Sequence, residues 1–61
     1  MRVEITWQEK ALNDIYRIRT AIMLNTDFEH AIEEVKKQAR QRNCLLRIDE
    51  VKDLDNPEVK T

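Results

Sequence analysis

Among its 61 residues the chain has no glycine, no serine, one proline, one cysteine and one histidine. Each absence removes a class of function. Phosphate-cradling loops of the dinucleotide-binding and P-loop kinds need turns free of a Cβ, so neither fits this sequence. Without serine there is no serine nucleophile elbow, and nucleophilic chemistry is left to Cys44, the lysines and four threonines. One cysteine and one histidine supply neither a disulfide framework nor a zinc site. A chain this short also has little to spare from its core for a concave pocket. The expectation is a non-enzymatic protein that uses no cofactor and no metal.

Long apolar runs are missing too. The longest, Ala21 to Leu24, is far shorter than a membrane span, and no stretch resembles a signal peptide. No membrane partner is expected. A lone cysteine fits a reducing compartment, which makes the cytoplasm the expected location. Charge of one sign is not in excess either: 11 Lys plus Arg stand against 12 Asp plus Glu, for a net charge of −1. Such a balance gives no global attraction to nucleic acid, so any DNA contact would need a segregated basic patch. Five basic residues and no acidic ones lie between Lys36 and Arg47, followed by a mostly acidic segment from Asp49 onward.

What is present begins with one strong helical pattern. Phe28, Ala31, Ile32, Val35 and Ala39 recur at spacings of three and four, which predicts a helix over 26–42 with one apolar stripe. Thr26 and Glu29 have the spacing of a capping box at its start. Acidic residues fill its first half and basic residues its second, as the helix dipole favours. From Cys44 to Val51, Leu46 and Ile48 alternate with Leu45, Arg47 and Asp49, which predicts a strand. Residues 1–54 are expected to form a single small domain, with 55–61 a flexible C-terminal tail.

The first 25 residues admit two readings. With period two, Val3, Ile5 and Trp7 share one face of a strand, and Tyr16, Ile18, Thr20, Ile22 and Leu24 share one face of another. A four-residue loop, 11–14, then sets Trp7 opposite Ile18, Ile5 opposite Thr20 and Val3 opposite Ile22, so both apolar sets fall on one side. With period 3.6, a short strand is followed by a Thr6–Glu9 capping box and a helix whose stripe holds Ala11, Leu12, Ile15, Tyr16, Ile18, Ile22 and Met23. The first reading gives an α+β fold of order β-β-α-β, a three-stranded antiparallel sheet in spatial order 2-1-3 with one packed helix. The second gives a β-α-α arrangement.

Each reading carries a resemblance. In the first, the helix entry Asn25-Thr26-Asp27-Phe28-Glu29-His30-Ala31-Ile32-Glu33 resembles the strand-to-helix junction of small phage host-takeover proteins that inhibit bacterial RNA polymerase. The resemblance implies an inhibitor or modulator that binds a bacterial host protein. In the second, Val3-Glu4-Ile5-Thr6-Trp7-Gln8-Glu9-Lys10-Ala11-Leu12 resembles the start of ribbon-helix-helix repressors. That implies a homodimeric DNA-binding regulator with Arg2, Glu4 and Thr6 in the major groove.

The hairpin register also nominates a binding surface. It leaves Thr6, Gln8, Arg17, Arg19, Met23, Leu45 and Arg47 on the side of the sheet away from the helix. Arg17, Arg19 and Arg47 would then form a recognition patch for carboxylates or phosphates, on an apolar footing of Met23 and Leu45. Two open sheet edges and a thin core predict a homodimer.

Overall fold

The computed structural model describes residues 1–55. Strand β1 spans Val3–Lys10, β2 Arg17–Met23 and β3 Leu45–Asp53, and helix α1 spans Phe28–Gln41 between the last two. The sheet is antiparallel in the order β2-β1-β3. This is the β-β-α-β arrangement. The β-α-α alternative is overturned, because β2 occupies the segment that it would make helical. The β-branched and aromatic density from Ile15 to Ile22 favours an extended backbone there.

Three chain reversals connect these elements, and each needs a left-handed backbone position. Asparagine supplies all three: Asn13, Asn25 and Asn43 have φ of 65°, 55° and 57°. After glycine, asparagine tolerates this region best, because its short polar side chain can bond locally. At the end of α1 the Cys44 N–H donates to the Ala39 carbonyl at 2.8 Å and the Asn43 N–H to that of Arg40 at 3.0 Å. This is the Schellman closure, with asparagine in the usual glycine place.

At the other end of the helix the cap is Asp27 rather than Thr26. The Asp27 carboxylate accepts from the His30 backbone N–H at 2.8 Å and contacts the His30 ring Nδ1 at 2.8 Å. These bonds hold the Asp27 carboxyl below its usual range, and the same carboxylate raises the His30 imidazole above its own. A carboxylate satisfies the orphan N–H as a hydroxyl would and also answers the helix dipole. We expect Asp27→Ala to lower the melting temperature by about 5 °C, whereas Thr26→Ala should leave it nearly unchanged. Thermal denaturation followed by circular dichroism checks both.

The helix packs mainly over β1 and β3, and of β2 only Ala21 and Met23 reach the core. Ala31, Val35 and Ala39 of the helix and Val3, Ile5 and Trp7 of β1 are buried, with Val35, Ile5 and Trp7 in one cluster. Ala21, Met23, Ile32, Leu46, Ile48 and Val51 complete the cluster. Phe28, at the first turn, remains 42 % exposed. A bulge in β3 keeps this packing in phase. Ile48 pairs with Trp7 and Val51 with Ile5, so an extra residue sits between them. Leu46, Ile48 and Val51 thereby all face the helix, which strict alternation would forbid.

The hairpin register differs from the expected one by a single residue. Val3 lies opposite Met23, Ile5 opposite Ala21 and Trp7 opposite Arg19. Continued past Glu9 and Arg17, this register leaves five residues, 11–15, in the connection instead of four. The extra residue is accommodated by the left-handed Asn13, with the Asp14 N–H donating to the Ala11 carbonyl and its carboxylate accepting from the Ile15 N–H. A slip of one residue turns every β2 side chain to the other face. Ile18 and Ile22, expected in the core, are therefore 73 % and 58 % exposed.

Strand β3 also runs two residues past its expected end. Asp55, expected in the tail, accepts from both the backbone N–H and Nε of Arg2 at 2.8 Å, which holds its carboxyl below the usual range. The rest of the expected tail, residues 56–61, lies outside the described residues.

Candidate interaction surface

The face of the sheet turned from the helix is built by the alternate residues of three strands. Antiparallel neighbours point the same way, so the rows across it follow from the pairing: Ile22, Glu4 and Lys52; Thr20, Thr6 and Glu50; Ile18, Gln8 and Arg47. The central column is polar and internally satisfied. Thr6 and Thr20 share a hydroxyl contact at 3.4 Å, Gln8 donates to Asp49 at 3.1 Å, and Lys52 lies 3.9 Å from Glu4 and 3.8 Å from Glu50. The flanks are not. Ile18, Ile22 and Leu24 are exposed along the β2 side, and Leu45 is exposed on β3.

One end of this face is both basic and aromatic. The Arg47 guanidinium lies 4.3 Å from the centre of the Tyr16 ring, and the Lys10 ammonium lies 5.8 Å from it. Such stacking fixes a flexible arginine in one orientation while its N–H groups remain free for a carboxylate. Ile18 and Leu45 are its apolar neighbours on either side.

The five nominated residues are split between the two faces. Arg47 and Leu45 share the open one. Arg17, Arg19 and Met23 lie on the helix side, because the one-residue register change carries them there. Arg17 sits 3.6 Å from Asp14 and Arg19 sits 4.0 Å from Glu9, so the three arginines form no common patch.

Behind Arg19 lies a cluster that the residue pattern did not reveal. Glu9, on the central strand, is 5 % exposed. It accepts from Nε and Nη2 of Arg42 at 2.9 and 2.7 Å, and from the Trp7 indole N–H at 2.9 Å. The Arg42 hydrogen bond holds the Glu9 carboxyl down at about 2, against the opposing pull of burial, with Trp7 assisting. This fork ties the helix terminus to the sheet. The signal available in the sequence was the phase of β1, in which Glu9 follows Val3, Ile5 and Trp7 on the inward side.

Two of the five basic residues between Lys36 and Arg47 are thus already engaged, Arg42 by Glu9 and Arg47 by Tyr16. Among the described residues no group of three His, Cys, Asp or Glu side chains could hold a metal ion, and no helix is long and apolar enough to cross a membrane. Comparisons with protein-family models, curated proteins and solved structures found no match.

Proposed function

We propose that this chain is a non-catalytic interaction protein that binds a protein partner through the open face of its sheet. The observation that carries the reading is the exposure of Ile18, Ile22, Leu24 and Leu45 on a sheet face that no other layer of the described residues covers, while the core is closed by other residues. An uncovered apolar rim beside a stacked arginine has the composition of a recognition surface. The partner this face fits presents a carboxylate to Arg47 and Lys10 and an apolar side chain to the strip between Ile18 and Leu45. The helix entry from Asn25 to Glu33, which carries the likeness to phage host-takeover proteins, together with the β-β-α-β order that they share, supports a bacterial host protein as that partner and inhibition as the outcome.

The test uses Leu45→Glu with Arg47→Glu, both on the open face. We expect unchanged circular dichroism and at least about a tenfold loss of affinity, since the contact would then bury unpaired like charges. Titration calorimetry with the partner captured from bacterial lysate and then purified gives the number. Arg17→Glu with Arg19→Glu provides the comparison on the other side of the sheet. An equal loss there, or none in the first variant, would move the contact away from the open face.

A further inference from the structure

The two edges of the sheet are unlike. The β3 edge is bulged and carries Arg47, Asp49, Glu50, Lys52 and Asp53, features that discourage strand addition. The β2 edge pairs with β1 in continuous register and is exposed along most of its length. An edge strand directs the N–H and C=O of alternate residues outward, and antiparallel strands must offer these groups to each other. For two copies of one strand, residues of the same parity must then meet, and the twofold axis passes through a residue.

We infer that two copies of this chain join at their β2 edges, antiparallel, with Thr20 on the twofold axis. Thr20 is the midpoint of Arg17–Met23, so this register alone pairs all seven residues. Ile18 then meets the partner's Ile22 on the open face, on both sides of a Thr20–Thr20 contact. Continued by two residues, the register sets Tyr16 against the partner's Leu24. The exposed apolar residues of β2 therefore match one another by symmetry. On the helix side Arg19 meets Ala21 and Arg17 meets Met23, so no two charges are directly opposed. Centring on Arg19 would instead set Arg19 against itself, and centring on Ala21 would pair only five residues of the strand.

Charge complementarity favours the same register. Met23 lines a groove of about 470 Å³ between β2 and the helix, to which α1 contributes His30, Glu33, Glu34, Lys37 and Arg40. The partner's Arg17 is delivered next to Met23, at the groove that Glu33 and Glu34 help to line, twice per dimer. The result is a six-stranded sheet with both helices on one side and a continuous open face on the other. The seam takes up Ile18, Ile22 and Leu24 and leaves Leu45 and Arg47, two strands away, open to the partner proposed above.

A charge at residue 20 meets its own copy only if that residue lies on the axis. Thr20→Glu and Thr20→Lys proteins should each self-associate at least about tenfold more weakly than wild type by sedimentation equilibrium. Mixed in equal amounts, they should recover a dimer close to wild-type strength, with circular dichroism confirming that each is folded. A second readout is covalent. In a Cys44→Ser chain, Thr20→Cys should oxidise to a linked dimer, whereas Ile22→Cys, which meets Ile18, should not. A wild-type protein that stays monomeric to about 1 mM, where specific pairs of millimolar affinity are half formed, would overturn the inference. So would charged variants that associate as wild type does, or a mixture no stronger than its components.

Discussion

Glu9→Gln protein should lose about 2 kcal/mol of unfolding free energy at neutral pH, and should lack most of the acid sensitivity of the wild type. Glutamine has the shape of a protonated glutamate, so the substitution makes permanent what acid does reversibly. In the folded chain the Glu9 carboxyl titrates near 2, against its ordinary 4.5. Because the folded value is the lower one, the stabilisation is complete above about pH 4.5 and disappears as the pH falls towards 2. The difference corresponds to at most about 3 kcal/mol, and water on the outer side of Arg42, which is 41 % exposed, reduces it. Urea denaturation between pH 2 and pH 7 measures both curves. They should converge near pH 2; parallel curves would show that Arg42 and Glu9 are not coupled in solution. For a chain of this length, with total stability on the order of 5 kcal/mol, the pair decides whether the helix terminus stays docked.

The second large effect belongs to Ile5. It is fully buried at the middle of the central strand, between Ala21 and Val51 and packed in one cluster with Val35. Ile5→Ala removes three carbons from a core with little to spare, at a cost of about 2–5 kcal/mol. We expect a largely unfolded protein at 37 °C. Ile18→Ala is the informative contrast, since the same residue type stands there on a strand of the same sheet. At concentrations too low for self-association it should change stability by less than about 0.5 kcal/mol. Circular dichroism melts of the two variants test the hairpin register directly, because the register with a four-residue loop would place Ile18 inside.

That contrast also marks how far the sequence could be read. The helix was legible from Phe28, Ala31, Ile32, Val35 and Ala39 because five apolar residues on a 3.6 period leave one orientation. The third strand and the spatial order followed from alternation and from antiparallel pairing. The hairpin register was not legible, since it rests on one residue in a turn whose left-handed position is filled by asparagine and carries no glycine to mark it. Counting apolar residues then favoured the wrong face. Tyr16, Ile18, Ile22 and Leu24 outnumber Ala21 and Met23, but it is Ala21 and Met23 that pack against the core cluster. The Glu9–Arg42 fork was hidden for a different reason: its members are 33 positions apart, and periodicity carries no information on charge pairing at that range.

The bulge in β3 bears on the length of the chain as much as on its shape. Ile48 and Val51 both reach the core with two residues, Asp49 and Glu50, standing where one would otherwise fit. Either can be replaced without moving its neighbours. Losing one would remove the bulge and leave Val51 inward opposite Ile5 by plain alternation, so the core tolerates that one deletion with the strand straightened. Residues 11–15, by contrast, can change in number more freely, because loop closure depends only weakly on loop length. Chains descended from a common ancestor with this one should therefore differ in length at the hairpin connection and place either two residues or one between the positions of Ile48 and Val51.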